Sequence, residues 1–257
     1  MKILVIGNCA REHTITWKLA QSPKVKEIYC APGNAGTFRI AQNLEIPVTD
    51  FKSLDKAVQQ KKIDLVVVGP EIPLAEGAVD YFEGLGIPTF GPSKLAAEIE
   101  SSKVFSKVLM QKYGVACAKG INFTDYTLAK EYVQKQKPPI VIRADGLAAG
   151  KGVVIAPTMA DALTTLKEFM QDKKLGASGN RVLIEEYLTG REMSSFIFSD
   201  GNTVLPFASA CDYKRINDND EGLNTGGMGS YSPPVFGTLA LYKKVQEKVM
   251  FPVIEAM

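Results

Sequence analysis

Metal-binding and disulfide-forming residues are scarce in this sequence. It has one histidine and four cysteines among 257 residues, and no two cysteines form a C-x-x-C pair. Structural zinc sites need clustered cysteine and histidine ligands, and small disulfide-stabilised domains need many paired cysteines. The scattered Cys9, Cys30, Cys117 and Cys211 support neither. Cysteines without such a framework are typical of a reducing compartment, so we expect a cytoplasmic protein.

Long apolar runs and a surplus of one charge are also missing. No stretch reaches the roughly 18 apolar residues that span a bilayer, and the apolar part of the first seven residues is too short for a signal peptide. The formal net charge is +2 at pH 7, so few basic residues remain to release counterions from nucleic acid. We therefore expect no membrane and no nucleic-acid partner. The hydrophobic content of 46% predicts a globular chain, and its length allows more than one core.

The dinucleotide fingerprint G-x-G-x-x-G is absent after the first predicted strand, residues 3–6. The sequence there runs G-N-C-A-R-E-H from Gly7 to His13. Arg11 would lie at the start of a helix, where a guanidinium and free backbone N–H groups could hold a single phosphate. His13 lies beside it, and a histidine in a first helical turn is more often structural than catalytic.

The first ninety residues alternate predicted strands and helices, which is typical of a parallel sheet covered on both faces. The strands are predicted at 3–6, 27–30, 64–68 and 89–90, and the helices at 12–21, 52–61 and 75–85. Turns rich in Gly, Pro and Asn follow the strands at 7–8, 32–36, 69–71 and 91–93. Ligands of open α/β sheets bind at the carboxyl ends of strands, so these turns predict one crevice. The alternative is turn chemistry without a ligand.

A glycine-rich loop lies within residues 140–156, between two β-rich runs. Gly146, Gly150 and Gly152 surround Lys151 there, a composition that suits close approach to a phosphate. It is not a Walker A loop, because only three residues separate Gly146 from Gly150 and a strand follows in place of a helix. The pattern predicts a flap over phosphates, and the alternative is an ordinary long hairpin.

The segments around this loop predict a small α+β unit followed by a polar stretch. Two helices are expected within 93–113, the second capped by Ser101 and Ser102. Lys103 in its first turn opposes the helix dipole, which indicates another use, although a solvated lysine is the common alternative. Helices at 129–136 and 160–170, strands at 181–187, 194–198 and 204–209, and a final helix at 239–257 complete the prediction. Residues 212–230 are predicted as a long functional loop.

Five motifs occur in an order that resembles one family. They are G-N-x-x-R-E-H from Gly7, P-G-N-A-G from Pro32, V-G-P-E from Val68, A-D-G-L-A-A-G-K-G-V from Ala144 and N-T-G-G-M-G from Asn224. Together they resemble the glycinamide ribonucleotide synthetases, or phosphoribosylamine–glycine ligases, of purine biosynthesis. The resemblance implies a parallel-sheet N-terminal domain followed by an incomplete ATP-grasp domain with a small α+β lid. It implies domains at 1–102, 103–122 (linker and first helix), 123–189 (lid) and 190–257 (start of the central subdomain).

The implied reaction joins glycine to 5-phosphoribosylamine with ATP, through a glycyl phosphate, with Mg²⁺ or Mn²⁺ as the metal. The catalytic residues would be Asp212 and Lys214. The implied ATP-binding residues are Lys103, Arg143, Gly146, Gly150, Lys151, Gly152, Glu185, Glu186, Tyr187, Leu188 and Glu192. The implied substrate-binding residues are Gly7, Asn8, Arg11, Gly69, Pro70, Glu71, Asn224, Thr225, Gly226 and Gly227.

The sequence departs from the family pattern at several positions. Cys9-Ala10 stands where the family usually has Gly-Gly, Arg143 where it has lysine, and Tyr213 where it has histidine. The family's metal ligands would lie beyond Met257, so we expect an N-terminal portion with little ligase activity alone. A separate C-terminal half is one expected partner. Two alternatives stay open: a non-catalytic nucleotide- or phosphoribosyl-binding module, and a different ATP-grasp carboxylate–amine ligase.

Overall fold

The structure, a computed structural model, describes residues 1–146 and 152–257, apart from the side chains at 220, 223 and 224. The chain divides into two compact units, Met1–Ser101 and Ser102–Met257. No helix in these described ranges is both long enough and apolar enough to cross a membrane.

The first unit alternates strands and helices, as predicted. Its strands are β1 (Lys2–Gly7), β2 (Glu27–Pro32), β3 (Gln42–Asn43), β4 (Leu65–Val68) and β5 (Thr89–Phe90). Its helices are α1 (Ala10–Ala20), α2 (Phe51–Lys61), α3 (Glu71–Glu76), α4 (Ala78–Gly84) and α5 (Glu98–Ser101). All strand pairs are parallel, in the order β3-β2-β1-β4-β5. The predicted parallel sheet is therefore confirmed.

Both faces of this sheet are buried, because alternate residues of β1 belong to different cores. Leu4 and Ile6 pack with Leu54 of α2 and Phe82 of α4 on one face. The residues between them, Ile3 and Val5, pack on the other face with residues of β2 and β4. This two-sided burial explains why the strands read as continuous apolar runs in the sequence.

The single helix predicted at 75–85 is wrong, since the structure has two short helices there. Gly77 lies between α3 and α4 with φ of +93° and is the left-handed C-cap of α3. A glycine adopts this conformation without the Cβ penalty of other residues, so it ends one helix and allows the next to start.

The second unit begins with an antiparallel sheet and three helices. Its strands are β6 (Gly120–Phe123), β7 (Ile140–Ala144), β8 (Val153–Ala156) and β9 (Val182–Glu186), in the order β6-β9-β7-β8. Its helices are α6 (Lys103–Lys112), α7 (Tyr126–Val133) and α8 (Met159–Met170). The pairing of β7 with β8 confirms the predicted strand–loop–strand arrangement, whereas β6 was missed.

Alternation along β7 and β9 gives this sheet two different faces. Ile142 and Ile184 belong to the apolar core formed with α7 and α8. Arg143 and Glu185 are the next residues along their strands, so their side chains point to the opposite face. That face carries Arg143 and Glu185, two of the charged residues that the family resemblance assigned to the nucleotide.

The rest of the second unit contains two hairpins and a helical end. The strands are β10 (Ile197–Ser199), β11 (Val204–Pro206), β12 (Cys211–Asn217) and β13 (Glu221–Tyr231). The final helices are α9 (Leu239–Val245) and α10 (Phe251–Ala256), joined by a π-helical stretch, Gln246–Met250. The loop predicted at 212–230 is wrong, because β12 and β13 form an antiparallel pair. Glycine and asparagine conceal this pair, since both are uncommon in strands.

Candidate functional site

A buried carboxylate lies at the carboxyl end of β1 in the first unit. Glu12 is fully buried, at 0% exposure. Its Oε2 accepts a hydrogen bond of 2.8 Å from the Cys9 N–H, and its Oε1 accepts one of 2.9 Å from Arg11 Nε. Glu12 is the third residue of α1, so it reaches back to the cap residue as in a capping box. The sequence predictions named no role for it.

Two glycines leave room for this carboxylate. A Cβ at Gly7 would lie 2.4 Å from Glu12 Cγ, and a Cβ at Gly69 would lie 2.3 Å from Glu12 Oε1. Gly7 also has φ of +133°, which disfavours other residues. Gly7 and Gly69 are predicted substrate residues, and the packing of Glu12 is a second and sufficient reason for glycine at both positions.

Arg11 lies between two carboxylates. Its Nη2 donates to Glu71 Oε2 at 3.2 Å, in addition to the Glu12 contact. Burial lowers the pKa of Arg11, but the hydrogen bonds and charges of Glu12 and Glu71 outweigh it and leave the pKa raised. The cluster of one cation and two carboxylates is net negative, so it suits hydroxyl or amine groups better than the phosphate first expected at Arg11.

The Asn34 side chain connects the turn after β2 to the end of β1 by hydrogen bonds. Asn34 Nδ2 donates to the carbonyls of Asn8 and Cys9 at 3.0 and 3.2 Å, and its Oδ1 accepts from Gly36 N at 2.8 Å. The imidazole of His13 packs against Gly36, where a Cβ would lie 2.3 Å from its Cε1. The turns at 7–8, 32–36 and 69–71 are therefore joined by side-chain contacts, whereas no such contact links the turn at 91–93 to them among the described residues. Many of their polar groups are already hydrogen bonded within the unit.

In the second unit, Asp145 connects three elements at the start of the glycine-rich loop. Its Oδ1 accepts from Ser102 Oγ at 3.0 Å and from Val104 N at 3.1 Å. Arg181 donates to Oδ2 from both Nε and Nη2. Burial by itself raises the pKa of Asp145, but the hydrogen bonds from Val104, Arg181 and Ser102 outweigh it and leave the pKa lowered.

This lowered pKa gives an acid-stability prediction. Asp145 stabilises the fold at pH above its ordinary pKa of 3.8, and that contribution is lost as the pH falls through its lower folded value. We expect Asp145→Asn to reduce protection of β7 and β9 at pH 6, and the difference from the unmodified protein to shrink below about pH 4. Amide hydrogen exchange measures this difference. A difference that is constant down to pH 2 would contradict the linkage.

Two lysines of α6 have different surroundings. Lys103 Nζ donates to the Gly146 carbonyl at 2.8 Å, at the start of the glycine-rich loop. One turn later, Lys107 is 4% exposed and its Nζ lies 2.6 Å from Glu185 Oε1. Arg143 Nη1 holds the other oxygen of Glu185 at 3.2 Å. Glu185, a predicted nucleotide contact, thus forms ion pairs with two cations, Lys107 and Arg143. Sequence reasoning missed Lys107, whose only signal is its position on the apolar side of α6.

A cavity of about 370 Å³ adjoins the end of β9. Its lining includes Glu185, Glu186 and Tyr187 from the predicted nucleotide-binding segment, together with Lys119 and Tyr132. This volume is within the usual range for small-molecule sites. Glu186 Oε1 accepts from Lys119 N at 2.7 Å, which fixes this end of the strand. Leu188, the residue after Tyr187 and also a predicted nucleotide contact, is exposed.

Three predicted residues come together at β12, of which Asp212 and Lys214 lie on the strand and Glu192 lies before it in the chain. Lys214 Nζ lies 3.1 Å from Glu192 Oε2 and 3.7 Å from Asp212 Oδ2. Burial lowers the pKa of Lys214, but Glu192 and Asp212 outweigh it and the pKa is raised. Thr225 Oγ1 donates to the Lys214 carbonyl at 2.9 Å and accepts from Gly227 N at 3.0 Å. Asp212 and Lys214 are therefore close together, as a joint role requires.

Other predicted residues are placed by their backbone, and some lie outside the described residues. Pro70 is the N-cap of α3, and Asn224 pairs with Arg215 across β12–β13. A Cβ at Gly226 would meet no atom within 4 Å. The Gly152 carbonyl accepts from Ala144 N at 2.8 Å. Gly150 and Lys151 lie outside the described residues, so their assignment stays a prediction. Within the described residues, no three His, Cys, Asp or Glu side chains form a group that could hold a metal ion.

Comparison with known families covers the whole chain. Residues 1–100 match the N domain of phosphoribosylglycinamide synthetase, and residues 101–257 match its ATP-grasp (A) domain. The chain belongs to the phosphoribosylglycinamide synthetase family. The family resemblance drawn from the five motifs is therefore confirmed, and so is the expectation of an α/β domain followed by an ATP-grasp domain.

Relatives and solved structures agree with this family. The chain is 46% identical over 257 residues to phosphoribosylamine–glycine ligase of Neisseria meningitidis. This alignment covers all of this chain and 61% of that protein. The Thermotoga maritima phosphoribosylamine–glycine ligase structure matches with a TM-score of 0.84 and 30% identity, over 100% of this chain and 61% of that one. The chain thus spans about 61% of the length of these relatives.

A more distant structure shows the same fold. The biotin carboxylase domain of Hydrogenobacter thermophilus 2-oxoglutarate carboxylase, solved with MgADP, matches with a TM-score of 0.76 and 17% identity. It covers 99% of this chain and 58% of that one. At this identity the likeness concerns the fold alone.

Proposed function

We propose that this chain forms the N-terminal part of a phosphoribosylamine–glycine ligase. The complete enzyme would use ATP to phosphorylate the glycine carboxylate, and the amine of 5-phosphoribosylamine would then displace phosphate from the glycyl phosphate. ATP would bind the second unit and phosphoribosylamine the first. The relatives' names and the two matched domains support this assignment.

The observation that carries the proposal is the contact of Lys103 with the loop. Its ammonium group lies 2.8 Å from the Gly146 carbonyl, where the glycine-rich loop begins. A lysine held there can reach an anion bound by the loop, and cations near a transferring phosphoryl group stabilise the charge that develops on it. The cavity beside Glu185–Tyr187 supports a nucleotide base in the same unit.

The first unit would bind the ribosyl part of phosphoribosylamine at its strand ends. Glu71 is exposed enough to accept hydrogen bonds from hydroxyl groups or from the amine, and Arg11 orients it from a buried anchor, Glu12. Asn8, Gly69 and Pro70 border the same turns. Because the cluster is net negative, we assign it to the hydroxyl and amine groups and not to the phosphate.

In the second unit, Asp212 and Lys214 would act on the glycine side of the reaction. Lys214 can neutralise a carboxylate or an acyl phosphate, and Asp212 can hold an ammonium group, so the pair suits a zwitterionic amino acid. Glu192 would share Lys214 until a ligand binds. The Thr225 hydroxyl donates to the Lys214 carbonyl and is held by the Gly227 N–H, so it supports the Lys214 backbone.

Mg²⁺ or Mn²⁺ would enter the reaction with the nucleotide. A divalent ion between phosphates needs oxygen ligands that complete its coordination. The described residues bring no three metal-ligating side chains together. We propose that those ligands come from the part of the ligase that the longer relatives possess, supplied as a continuation or as a separate C-terminal half. Full turnover would then depend on that part.

Calorimetric titration with ATP tests the nucleotide assignment. We expect Lys103→Met to weaken ATP binding about tenfold or more, because a charged hydrogen bond contributes roughly 1.5–3 kcal/mol. Lys112→Met is the matched control, since Lys112 lies in the last turn of the same helix. We expect that control to bind ATP like the unmodified chain.

Two outcomes would overturn the nucleotide assignment. One is a chain that folds normally and binds no ATP at millimolar concentration. The other is equal ATP affinity in Lys103→Met and Lys112→Met. Binding without phosphate release from ATP, glycine and phosphoribosylamine would instead support nucleotide binding in a chain that lacks the rest of the ligase.

A further inference from the structure

The Asp145 carboxylate accepts two hydrogen bonds from the first turn of α6. Ser102, the N-cap of that helix, donates from Oγ to Oδ1 at 3.0 Å, and the Val104 N–H donates to the same oxygen at 3.1 Å. Ser102 Oγ also accepts from Phe105 N at 3.0 Å. The helix start is therefore capped once by its own serine and again by a carboxylate from the end of β7.

These contacts fix Lys103 from both sides. Lys103 lies between Ser102 and Val104, and both of those residues hydrogen bond to Asp145. The residue after Asp145 supplies the carbonyl that accepts from Lys103 Nζ at 2.8 Å. The residues on either side of Lys103 and its own ammonium group are thus hydrogen bonded to the same dipeptide, Asp145–Gly146.

Arg181 makes this arrangement compatible with an anionic ligand. A carboxylate beside a phosphate site would repel the phosphate if its charge were exposed. Arg181 donates to Asp145 Oδ2 from two nitrogens, and Asp145 N donates to the Arg181 carbonyl at 3.0 Å. The guanidinium balances the charge of the carboxylate and holds it in a single orientation.

From this geometry we propose that Asp145, neutralised by Arg181, is the positioning residue that sets Lys103 for the terminal phosphates of the nucleotide. Asp145 itself does not contact the ligand. The identity of the ligand rests on the proposed function, but the mechanical role of Asp145 does not, because it depends only on contacts between described residues.

The first experiment compares two nucleotides in calorimetric titrations of the full chain. We expect Asp145→Asn to raise the Kd for ATP about tenfold, since it removes the charge-assisted bonds from Arg181. The Kd for AMP is expected to change less than about twofold, because AMP lacks the phosphates that Lys103 would reach. Asp125→Asn is the matched control: Asp125 also accepts a helix N–H, from Leu128 at 2.9 Å, at the start of α7.

Comparing the changes in Kd for ATP and AMP distinguishes a positioning role of Asp145 from a general loss of structure in the variant. An equal loss of ATP and AMP affinity in Asp145→Asn would mean that the residue is only structural, and the positioning role would be overturned. Unchanged ATP affinity in this variant would overturn it as well. The same loss in Asp125→Asn would show that any cap carboxylate has this effect, which also contradicts the proposal.

A second experiment needs no nucleotide. Competitive acetylation followed by mass spectrometry measures how accessible each lysine amine is. We expect Lys103 to react several-fold faster in Asp145→Asn than in the unmodified chain, with Lys112 as an internal reference. If the unmodified chain binds no ATP, the proposed function fails while this measurement still decides the role of Asp145. Equal Lys103 reactivity in the two proteins would overturn the positioning role.

Discussion

Replacing Lys107 with methionine is expected to lower the unfolding free energy of the second unit by about 3–5 kcal/mol, the usual cost of removing one partner from a buried ion pair. Lys107 and Glu185 have side chains only 5% and 7% exposed. Without the lysine, the contact that remains to the Glu185 carboxylate among the described residues is from Arg143, whose side chain is 37% exposed. The Ala118 carbonyl, which also accepts from Lys107, would lose its donor.

Urea unfolding followed by amide exchange in β7 and β9 measures this effect. The matched control is Lys174→Met, because Lys174 forms an ion pair with Glu168 in the same unit, with side chains 58% and 35% exposed. Ion pairs with this exposure contribute at most about 1 kcal/mol. We also expect Lys107→Met combined with Glu185→Leu to recover most of the lost stability, because no carboxylate is then left buried. Equal costs for the two single lysine variants would contradict the buried-pair account.

Two of the three lysines of α6 explain how the helix serves the site. Lys103 and Lys107 are four residues apart, so they lie on the same side of the helix. Lys107 anchors that side to Glu185 on β9, and Lys103 extends from it toward the beginning of the glycine-rich loop. A stable buried pair therefore locates the lysine that we assign to the nucleotide.

Much of the fold could be predicted because its signals are local. Continuous apolar strands separated by helices indicated the parallel sheet, and glycines around one lysine indicated the hairpin of β7 and β8. Ser102 was recognised as a helix cap, and its side chain does accept from Phe105 N. The order of five motifs predicted the family, which the domain matches confirm.

The features that were missed depend on contacts between distant residues. Lys107 lies on the apolar side of α6, but nothing in the sequence near it shows that Glu185 of β9 will be its partner. Glu12 resembles an exposed helix residue until Gly7 and Gly69 enclose it. The hairpin of β12 and β13 has register shifts near Tyr213 and Arg215. These shifts, together with its glycines, remove the regular alternation by which strands are recognised.

Substituting Gly69 with alanine is the second change with a large expected effect, about 2–3 kcal/mol of lost stability in the first unit. The new Cβ would lie 2.3 Å from Glu12 Oε1, so the carboxylate would have to move. Moving the Glu12 carboxylate away from this Cβ would break its hydrogen bonds from Cys9 N and Arg11 Nε. The cost thus combines steric overlap with the loss of buried hydrogen bonds.

Urea unfolding monitored by the fluorescence of Trp17, the single tryptophan, measures this cost. Gly84→Ala is the matched control, because a Cβ at Gly84, the last residue of α4, would meet no atom within 4 Å. It should be neutral or slightly stabilising, since alanine favours helix more than glycine. In a Glu12→Ala background, the cost of Gly69→Ala should largely disappear, because the two residues are in direct contact. Full additivity of the two substitutions would contradict this account, because the cost of the alanine would then come from a contact other than the one with Glu12.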